Sequence, residues 1–295
     1  MIKTAISLDY PLITPELIRL LQKHPDVEIL WIERSKNTEY ENDFFETLQD
    51  EVNEIPIIET ATDSDFEDVD LYIGKPKVYL PEKENLKVIF TVPTDAVTGV
   101  CEYNRKAMVR GASKVYSPDI STILCALALM PLAKNLMLNS SVSATLLLPV
   151  DRHASRSAFS LSAKGLNQES IQDLHDKILS ELQTSFNSPI VGNIIESTVS
   201  SFACAIFTLD IKISADQALV LFKDFYSDHR HIYFPQKSIS ERMVLGTNKS
   251  VITLHNDSVG HLVVSVACDA LFKGGAGNIL HILNLLFGLD ERTGF

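Results

Sequence analysis

Short apolar runs separated by polar segments make up the first third of the chain, and their spacing predicts strands alternating with a helix. Leu17, Leu20 and Leu21 recur with helical spacing, and Thr14 followed by Pro15 is typical of a helix start. A strand, a helix and a strand within about 30 residues indicate a parallel crossover. We therefore expect a parallel sheet here, with a helix at 15–23 and strands at 2–8, 27–32, 57–58, 71–73 and 88–92.

The pattern changes in the second part of the chain. Asp119 opens a long apolar segment that predicts a helix to about Leu136. Beyond it, several predicted strands alternate apolar with polar residues, which indicates a mixed, partly antiparallel second domain. The expected strands are 144–150, 160–162, 202–213, 250–254 and 261–267, and the expected helices are 169–182, 215–225 and a closing helix at 274–288.

Composition and charge exclude several classes of protein. The 295 residues are 45% hydrophobic and 22% charged, which is typical of a globular chain and excludes disorder and a disulfide miniprotein. Lys and Arg number 26 against 38 Asp and Glu, and a net charge of −12 repels phosphate backbones, so no nucleic-acid partner is expected. The acidic segment 63–70 is expected to be a solvated loop.

The compartment is predicted from features that the sequence does not show. The chain starts without a signal-peptide pattern, and its longest apolar run, 124–132, is far shorter than the roughly 20 residues that span a bilayer. We therefore expect a cytoplasmic protein with no membrane partner. The cysteines are far apart and form no CxxC pair, so reduced, mostly buried thiols are expected at Cys101, Cys125, Cys204 and Cys268.

Two histidines two residues apart, His229 and His231, are a candidate for metal binding. A metal site needs a third and a fourth ligand, and none lies nearby in the sequence. The aromatic residues around this pair favour a core or an interface. No metal is expected.

Several segments, in the same order along the chain, resemble the N-acetyl-gamma-glutamyl-phosphate reductases, which belong with the aspartate-semialdehyde dehydrogenases. The resemblance lies in the first helix and second strand, a Glu-x-Asn-Arg turn, the helix after the nucleophile, a Gly-Thr-Asn loop and the closing helix, at 16–21, 24–29, 102–105, 126–132, 246–248 and 273–289. It implies reduction of an acyl phosphate to an aldehyde with NADP.

The resemblance also implies the fold class and the domains. We expect an α/β protein with a Rossmann-like parallel-sheet domain over residues 1–117, completed by 274–295. Residues 118–273 are expected to form an α+β domain with a mixed, largely antiparallel sheet, similar to the catalytic and dimerisation domain of the family. A homo-oligomer, either a dimer or a tetramer, is the expected assembly.

The glycine loop that holds the cofactor in this family is not retained. Its three glycine positions fall on Leu8, Pro11 and Thr14. Glycine is needed there for tight turns and for the close approach of the backbone to a pyrophosphate. Leu8 adds bulk, and Pro11 removes an N–H that could donate to the phosphate. We therefore expect an ordinary strand–helix loop and no cofactor.

Three other residues stand where the resemblance implies contact with NADP. Arg34 and Ser35 follow the second strand, where family members often reach the adenosine 2′-phosphate, and Asn278 lies in the closing helix. Glu33 suits a ribose hydroxyl instead. A solvated loop explains the residues after the strand equally well, so both interpretations stay open.

The family's catalytic residues are also missing. The position of the catalytic cysteine falls on Ile120, which has no lone pair to attack an acyl phosphate. Ser121 lacks an evident activating base, and Cys125, farther along the same helix, is expected to be a core residue. The acid–base histidine position falls on Gln172, with His175 three residues away.

The substrate-binding residues depart from the family as well. Leu245 replaces the arginine before the Gly-Thr-Asn loop. The family's glycine-rich substrate loop is replaced by a segment with Arg152 and Arg156, which could hold a small anion.

The selective loss of catalytic residues leads to three hypotheses. The first is a catalytically inactive homologue with a binding, regulatory or structural role, pairing with itself or with an active relative. The alternative is a diverged NADP-dependent oxidoreductase that reduces an acyl phosphate to a semialdehyde, as in arginine biosynthesis. The third is a sensor of a small anion that uses the two loop arginines.

Overall fold

The computed structural model describes residues 1–8, 13–36, 38–77, 80–83, 85–149, 161–166, 171–172, 174–183, 189–197 and 200–295. The chain divides into two compact units. Unit 1 comprises Met1–Pro118 and Gly275–Phe295, and unit 2 comprises Asp119–Gly274. None of the helices in the described ranges is long and apolar enough to cross a membrane.

The strands of unit 1 are β1 (Ile2–Ser7), β2 (Val27–Glu33), β3 (Ile57–Ile58), β4 (Leu71–Gly74), β5 (Lys87–Phe90), β6 (Val97–Thr98) and β7 (Lys114–Tyr116). Those of unit 2 are β8 (Val142–Pro149), β9 (Leu161–Gly165), β10 (Ile190–Ser197), β11 (Phe202–Leu209), β12 (Ile232–Tyr233), β13 (Ser250–Asn256) and β14 (Leu262–Asp269).

The helices are α1 (Pro15–Lys23), α2 (Thr38–Leu48), α3 (Cys101–Val109), α4 (Ile120–Lys134), α5 (a π-helical turn, His175–Leu179, continued by Ser180–Leu182), α6 (Ala215–Phe225) and α7 (Ala276–Leu286). Short 3₁₀ helices lie at Gln49–Val52, Asp63–Phe66 and Glu241–Met243.

The sheet of unit 1 is parallel, in the order β3-β2-β1-β4-β5-β7-β6, which confirms the predicted fold class for this part of the chain. The strand order reverses between β1 and β4. In open α/β sheets, ligands bind outside the carboxyl ends of the strands at such a reversal. The edge formed by the ends of β1, β2 and β4 is therefore where a cofactor would be expected.

Apolar helices cover the sheet of unit 1. Every residue of α7 is buried, and α1 buries Leu17, Ile18 and Leu21. Leu20 was expected on that face but is only half-buried. α2 was not predicted, although Tyr40, Phe44 and Leu48 recur every four residues and are all buried. The acidic residues between them interrupt the apolar pattern, so the sequence did not indicate this helix.

The acidic segment 63–70 is not a fully solvated loop. It contains the Asp63–Phe66 3₁₀ helix, in which the Phe66 ring is buried and meets the Trp31 ring edge-on at 5.3 Å. The indole nitrogen of Trp31 also donates to the carbonyl of Asp65 at 3.0 Å. The segment expected as a turn at 102–105 lies instead within α3, where Asn104 departs from helical geometry.

The sheet of unit 2 has the order β12-β13-β14-β11-β8-β10-β9. The pairs β8–β10 and β12–β13 are parallel and the others antiparallel, which confirms the predicted mixed, largely antiparallel sheet. β10 was not predicted, because Gly192 and Asn193 interrupt its apolar pattern. Gly192 is required by close packing: a Cβ there would lie 1.9 Å from the carbonyl oxygen of Ala144 on β8.

Helix α4 packs against β11 and β14 of unit 2. It is apolar around its whole circumference, and residues 121–133 are all buried. A helix that is hydrophobic on every face is expected to be enclosed by the protein. The helix begins one residue later than expected, because Asp119 is its N-cap and accepts a hydrogen bond from the Thr122 amide at 2.8 Å.

Candidate functional site

The loop after β1 begins and ends in the apolar core of unit 1. Leu8, at the first glycine position, is buried, and its amide donates to the Glu33 carbonyl at 3.0 Å. Ile13 is also buried, and its carbonyl accepts the hydroxyl of the buried Tyr40. Pro11, at the second position, lies outside the described residues. A leucine side chain thus occupies core space at a position where the family resemblance implies a glycine, which has no side chain.

Thr14 stands at the third glycine position and is the N-cap of α1. Its backbone is extended, as at an N-cap, but its side chain makes no capping hydrogen bond. The Thr14 hydroxyl is buried and has no hydrogen-bond partner among the described residues. The helix start was predicted correctly, and Pro15 is its first residue.

At the end of β2, the Glu33 carboxylate binds groups of the protein itself. It pairs with the ammonium of Lys77 and accepts a hydrogen bond from the Ala61 amide at 3.0 Å. Burial raises the pKa of Glu33, but the hydrogen bonds from Lys77, Ala61 and Ser7 outweigh it and hold that pKa below its usual value. The carboxylate that suits a ribose hydroxyl is thus ionised and already bonded.

The next two residues bind carboxylates of the same unit. The guanidinium of Arg34 pairs with Glu41 on α2 and lies 3.0 Å from a carboxylate oxygen of Glu59. The amide of Ser35 donates to the other oxygen of Glu41 at 2.8 Å. Arg34 and Ser35 therefore both contact one internal anion, the Glu41 carboxylate. Contact of either residue with a cofactor stays a prediction.

Asn278 is buried at the start of α7. Its side-chain nitrogen donates to the Gly99 carbonyl at 3.1 Å and to the Ser117 hydroxyl at 3.0 Å. The Cys101 thiol lies 3.7 Å from the Asn278 side-chain oxygen. These bonds tie α7 to the β6 and β7 side of the sheet. The role of Asn278 toward a nucleotide stays a prediction.

In unit 2, the position of the family nucleophile is the first residue of α4. Ile120 is half-buried, and its side chain packs against Gly274: a Cβ on that glycine would lie 2.8 Å from the Ile120 Cβ. The neighbouring Ser121 hydroxyl donates to the Asp119 carboxylate at 2.5 Å. A carboxylate could orient a serine, but here the Asp119 carboxylate caps the helix. Ile120 itself has no atom that can attack a carbonyl.

The nearby thiols are enclosed. Burial and the charge of Asp119 raise the pKa of the Cys125 thiol far above its usual value, so this group stays protonated. Cys101 is buried in unit 1 and Cys268 in unit 2, and Cys204 is only half-buried. Burial also raises the pKa of Cys204. None of these described thiols has the exposed, electropositive surroundings of a reactive cysteine.

The candidate acid–base residues lie on and beside α5. Gln172 donates to one oxygen of Asp176 at 2.7 Å, and His175 Nδ1 lies 2.9 Å from the other. Asp176 is exposed, and the hydrogen bonds from Gln172 and His175 lower its pKa. Arg152 and Arg156, the candidate anion-binding residues, lie outside the described residues.

The Gly-Thr-Asn loop is held by a buried carboxylate. Asp269 accepts hydrogen bonds from the Gly246 amide at 2.7 Å and from the Leu271 amide at 2.9 Å. Gly246 has a positive φ of 70°, which favours glycine. His231 is buried, and the His229 ring packs on Tyr226. Over the ranges given above, no three His, Cys, Asp or Glu side chains form a group that could hold a metal ion.

The internal partners at this edge were missed by the sequence analysis. Lys77 and Glu59 are far along the chain from the residues they neutralise, whereas Glu41 lies seven residues after Arg34. The sequence signal was the density of acidic residues after Arg34, which by itself predicts only a solvated surface. Only packing of α2 shows that one of these acids turns inward.

Comparison with known proteins agrees with the family resemblance. No protein-family model matches the chain. N-acetyl-gamma-glutamyl-phosphate reductase from Parabacteroides distasonis is 29% identical over 306 residues, covering 95% of this chain and 93% of that protein. The reductase of the same name from Phocaeicola vulgatus is 26% identical with the same coverage. The chain is similar over almost its whole length to the N-acetyl-gamma-glutamyl-phosphate reductases.

Solved structures of the family have the same fold. Aspartate semialdehyde dehydrogenase II from Vibrio cholerae, solved in complex with ASA, matches with a TM-score of 0.65 and 16% identity, covering 98% of both chains. A second structure of that enzyme matches with a TM-score of 0.67 and 13% identity, covering 97% of this chain and 98% of the other. At such identities the likeness shows the fold, and function depends on the residues at the site.

Proposed function

We propose that the protein is a catalytically inactive member of this family with a binding, regulatory or structural role. The observation that carries the proposal is Ile120 at the first turn of α4, packed against Gly274. Attack on an acyl phosphate requires a nucleophile with a lone pair at this position. An aliphatic side chain cannot form the covalent intermediate, and the helix start is otherwise intact.

NADP, the cofactor implied by the family resemblance, does not fit the residues at the edge of unit 1. The Leu8 side chain fills space at a position where the family has a glycine that lets the backbone approach the pyrophosphate. Lys77 neutralises Glu33, and Glu41 neutralises Arg34. A dinucleotide bound in the manner of the family would have to displace two ion pairs and an apolar core residue. We therefore expect no tight NADP(H) binding, and we derive no hydride-transfer step.

We also propose that the protein forms a homodimer through unit 2. One face of its sheet buries apolar residues beneath helices such as α4, and the residues that alternate with them point to the opposite face. The exposed or half-buried residues on this opposite face include an uncharged group: Ser143, Thr145, Leu147, Val191, Asn193, Ile195, Cys204, Ile206, Thr208, Thr253 and Ser265. We call them the open sheet face.

The charge of the chain favours this face for self-association. Two copies with a net charge of −12 each repel one another over most of their surfaces. The open sheet face carries no such charge, and a two-fold pair would place the same face on both sides of the contact. An active relative with a matching face is the second candidate partner. A cytoplasmic location, and a small anion bound at Arg152 and Arg156, stay predictions.

The alternative function is a diverged reductase that acts on N-acetyl-gamma-glutamyl phosphate, the compound in the name of its relatives. Its support is the 95% coverage of the chain by those reductases. It requires a rebuilt cofactor site and a substitute nucleophile, and among the described residues the structure offers neither in an accessible position.

A direct assay separates the two functions. The purified protein is mixed with NADPH and N-acetyl-gamma-glutamyl phosphate, and oxidation is followed by the loss of nicotinamide absorbance. We expect no oxidation above the rate without protein, with the Parabacteroides reductase as the positive control. Oxidation that depends on the acyl phosphate and is abolished by Ser121→Ala or His175→Gln would overturn the proposal.

A binding titration completes the test. Calorimetry with NADPH, NADP and NADH is expected to show no binding at millimolar nucleotide. A dissociation constant in the micromolar range would favour the diverged reductase instead.

A further inference from the structure

We propose that Arg34 and Ser35 form an anion-binding site that the protein's own Glu41 carboxylate occupies. Glu41 thus acts as an internal plug in a site that would otherwise accept a phosphomonoester dianion. The inference rests on the proposed absence of cofactor binding and deepens it, because it assigns one cause of that absence to one side chain.

The geometry is that of a bound oxyanion. One carboxylate oxygen of Glu41 contacts the Arg34 guanidinium, and the other accepts the Ser35 amide at 2.8 Å. A guanidinium together with a backbone N–H is a common way to bind phosphate, because both donate directed hydrogen bonds and one carries a full positive charge. The two Glu41 oxygens occupy places that two oxygens of a phosphate can take.

The position of the site indicates the class of ligand. Arg34 and Ser35 follow β2 directly at the carboxyl edge of the parallel sheet, next to β1. An arginine at this place in a dinucleotide-binding fold accommodates a phosphate on the ribose 2′-oxygen. A nucleoside 2′-phosphate is therefore the ligand whose chemistry the site matches.

The plug is buried, whereas Arg34 is open to solvent. Glu41 is only 6% exposed, because Tyr40 and Phe44 anchor its helix, α2, in the core. The Arg34 side chain is 43% exposed. Its second partner, Glu59, is 85% exposed, and such surface pairs contribute little and are easily displaced. Glu41 is thus the residue that controls access to the site.

Removing the plug tests the proposal. Calorimetry on the full chain uses adenosine 2′,5′-bisphosphate as the probe, with adenosine 5′-monophosphate as the comparison that lacks the 2′-phosphate. We expect no binding to the unaltered protein. Glu41→Ala, which removes both the charge and the bulk of the side chain, is expected to bind the bisphosphate at least tenfold more tightly than the weakest affinity that the calorimeter detects. Glu41→Gln removes only the charge and is expected to give a smaller gain.

Matched variants exclude a general charge effect. Glu46→Ala removes one negative charge from an exposed position of the same helix, so it is expected to leave binding unchanged. Combining Glu41→Ala with Arg34→Ala is expected to abolish the gain. Thermal melting shows which variants are folded, and Glu41→Gln, which keeps the shape of the side chain, carries the test if Glu41→Ala does not fold.

The outcomes separate this inference from the proposed function. If folded Glu41 variants bind the bisphosphate no better than the unaltered protein, the plug is disproved and the proposed inactive role stands. If the unaltered protein binds NADPH in the micromolar range, the proposed function fails. A gain that survives loss of Arg34 would also disprove the plug.

Discussion

A carboxylate oxygen of Glu291 lies 2.8 Å from Nε2 of the buried His281, where the C-terminal segment folds back onto α7. The other oxygen accepts a hydrogen bond from Arg105 on α3, also at 2.8 Å. One carboxylate therefore joins two helices and the chain end of unit 1. Burial raises the pKa of Glu291, but the bonds and charges of His281 and Arg105 outweigh it and bring the pKa to about 2.

The first prediction follows from this shift. A carboxyl group whose pKa falls from 4.5 to about 2 on folding stabilises the folded state above pH 4.5, and this stabilisation is lost as the pH falls toward 2. It amounts to at most about 3 kcal/mol. Glu291→Gln should lower the free energy of urea unfolding at pH 7 and flatten its decline between pH 4.5 and 2. Glu28→Gln, at an exposed position, is the control, and parallel pH curves for Glu291→Gln and the unaltered protein would contradict the prediction.

The second prediction concerns Leu8. Because its side chain is 2% exposed in the core of unit 1, Leu8→Ala should lower the free energy of unfolding by about 2–4 kcal/mol. Val259→Ala, at a position that is 76% exposed, should change it by less than about 0.5 kcal/mol. Equal effects in urea titrations would show that Leu8 is not a core residue.

The third prediction concerns the missing nucleophile. Ile120→Cys places a thiol at a half-buried position of the first turn of α4, where a helix N-terminus favours the thiolate. A thiol reagent under native conditions should label one more cysteine than in the unaltered protein, while Cys125 should react only after unfolding. No reductase activity should appear, because the cofactor site is still filled. Activity gained by this single change would place the whole defect at Ile120.

The fourth prediction tests the open sheet face. Ile206 is 45% exposed and lies opposite Thr145 and Ser265 on the neighbouring strands. Ile206→Glu places a charge in the centre of this uncharged face and should convert the dimer to a monomer in sedimentation experiments. Val259→Glu makes a comparable change at the β13–β14 turn and should leave the dimer intact. Dimers that persist in Ile206→Glu would exclude this face as the contact.

The sequence by itself determined most of the architecture. The apolar runs of β1 and β2 and the spacing of α1 indicate a parallel crossover, because strand and helix periods differ and each buries one face. The absence of a nucleophile at Ile120 is also a property of the sequence alone, since no conformation gives an isoleucine a reactive lone pair. Elements with interrupted patterns were not predicted: acidic residues conceal α2, and a glycine forced by close strand packing interrupts β10.

Only the tertiary structure decided how the charged residues at the sheet edge are used. In the sequence, Arg34 and Ser35 are equally consistent with a phosphate site and with a solvated loop, because a charge pattern does not specify its partner. The packing of Tyr40 and Phe44 turns Glu41 inward onto Arg34, and Lys77, far along the chain, reaches Glu33. The Lys77–Glu33 contact joins distant parts of the chain, and the inward direction of Glu41 depends on the packing of α2 in the core. Neither is specified by the local sequence, because both depend on which distant residues pack together.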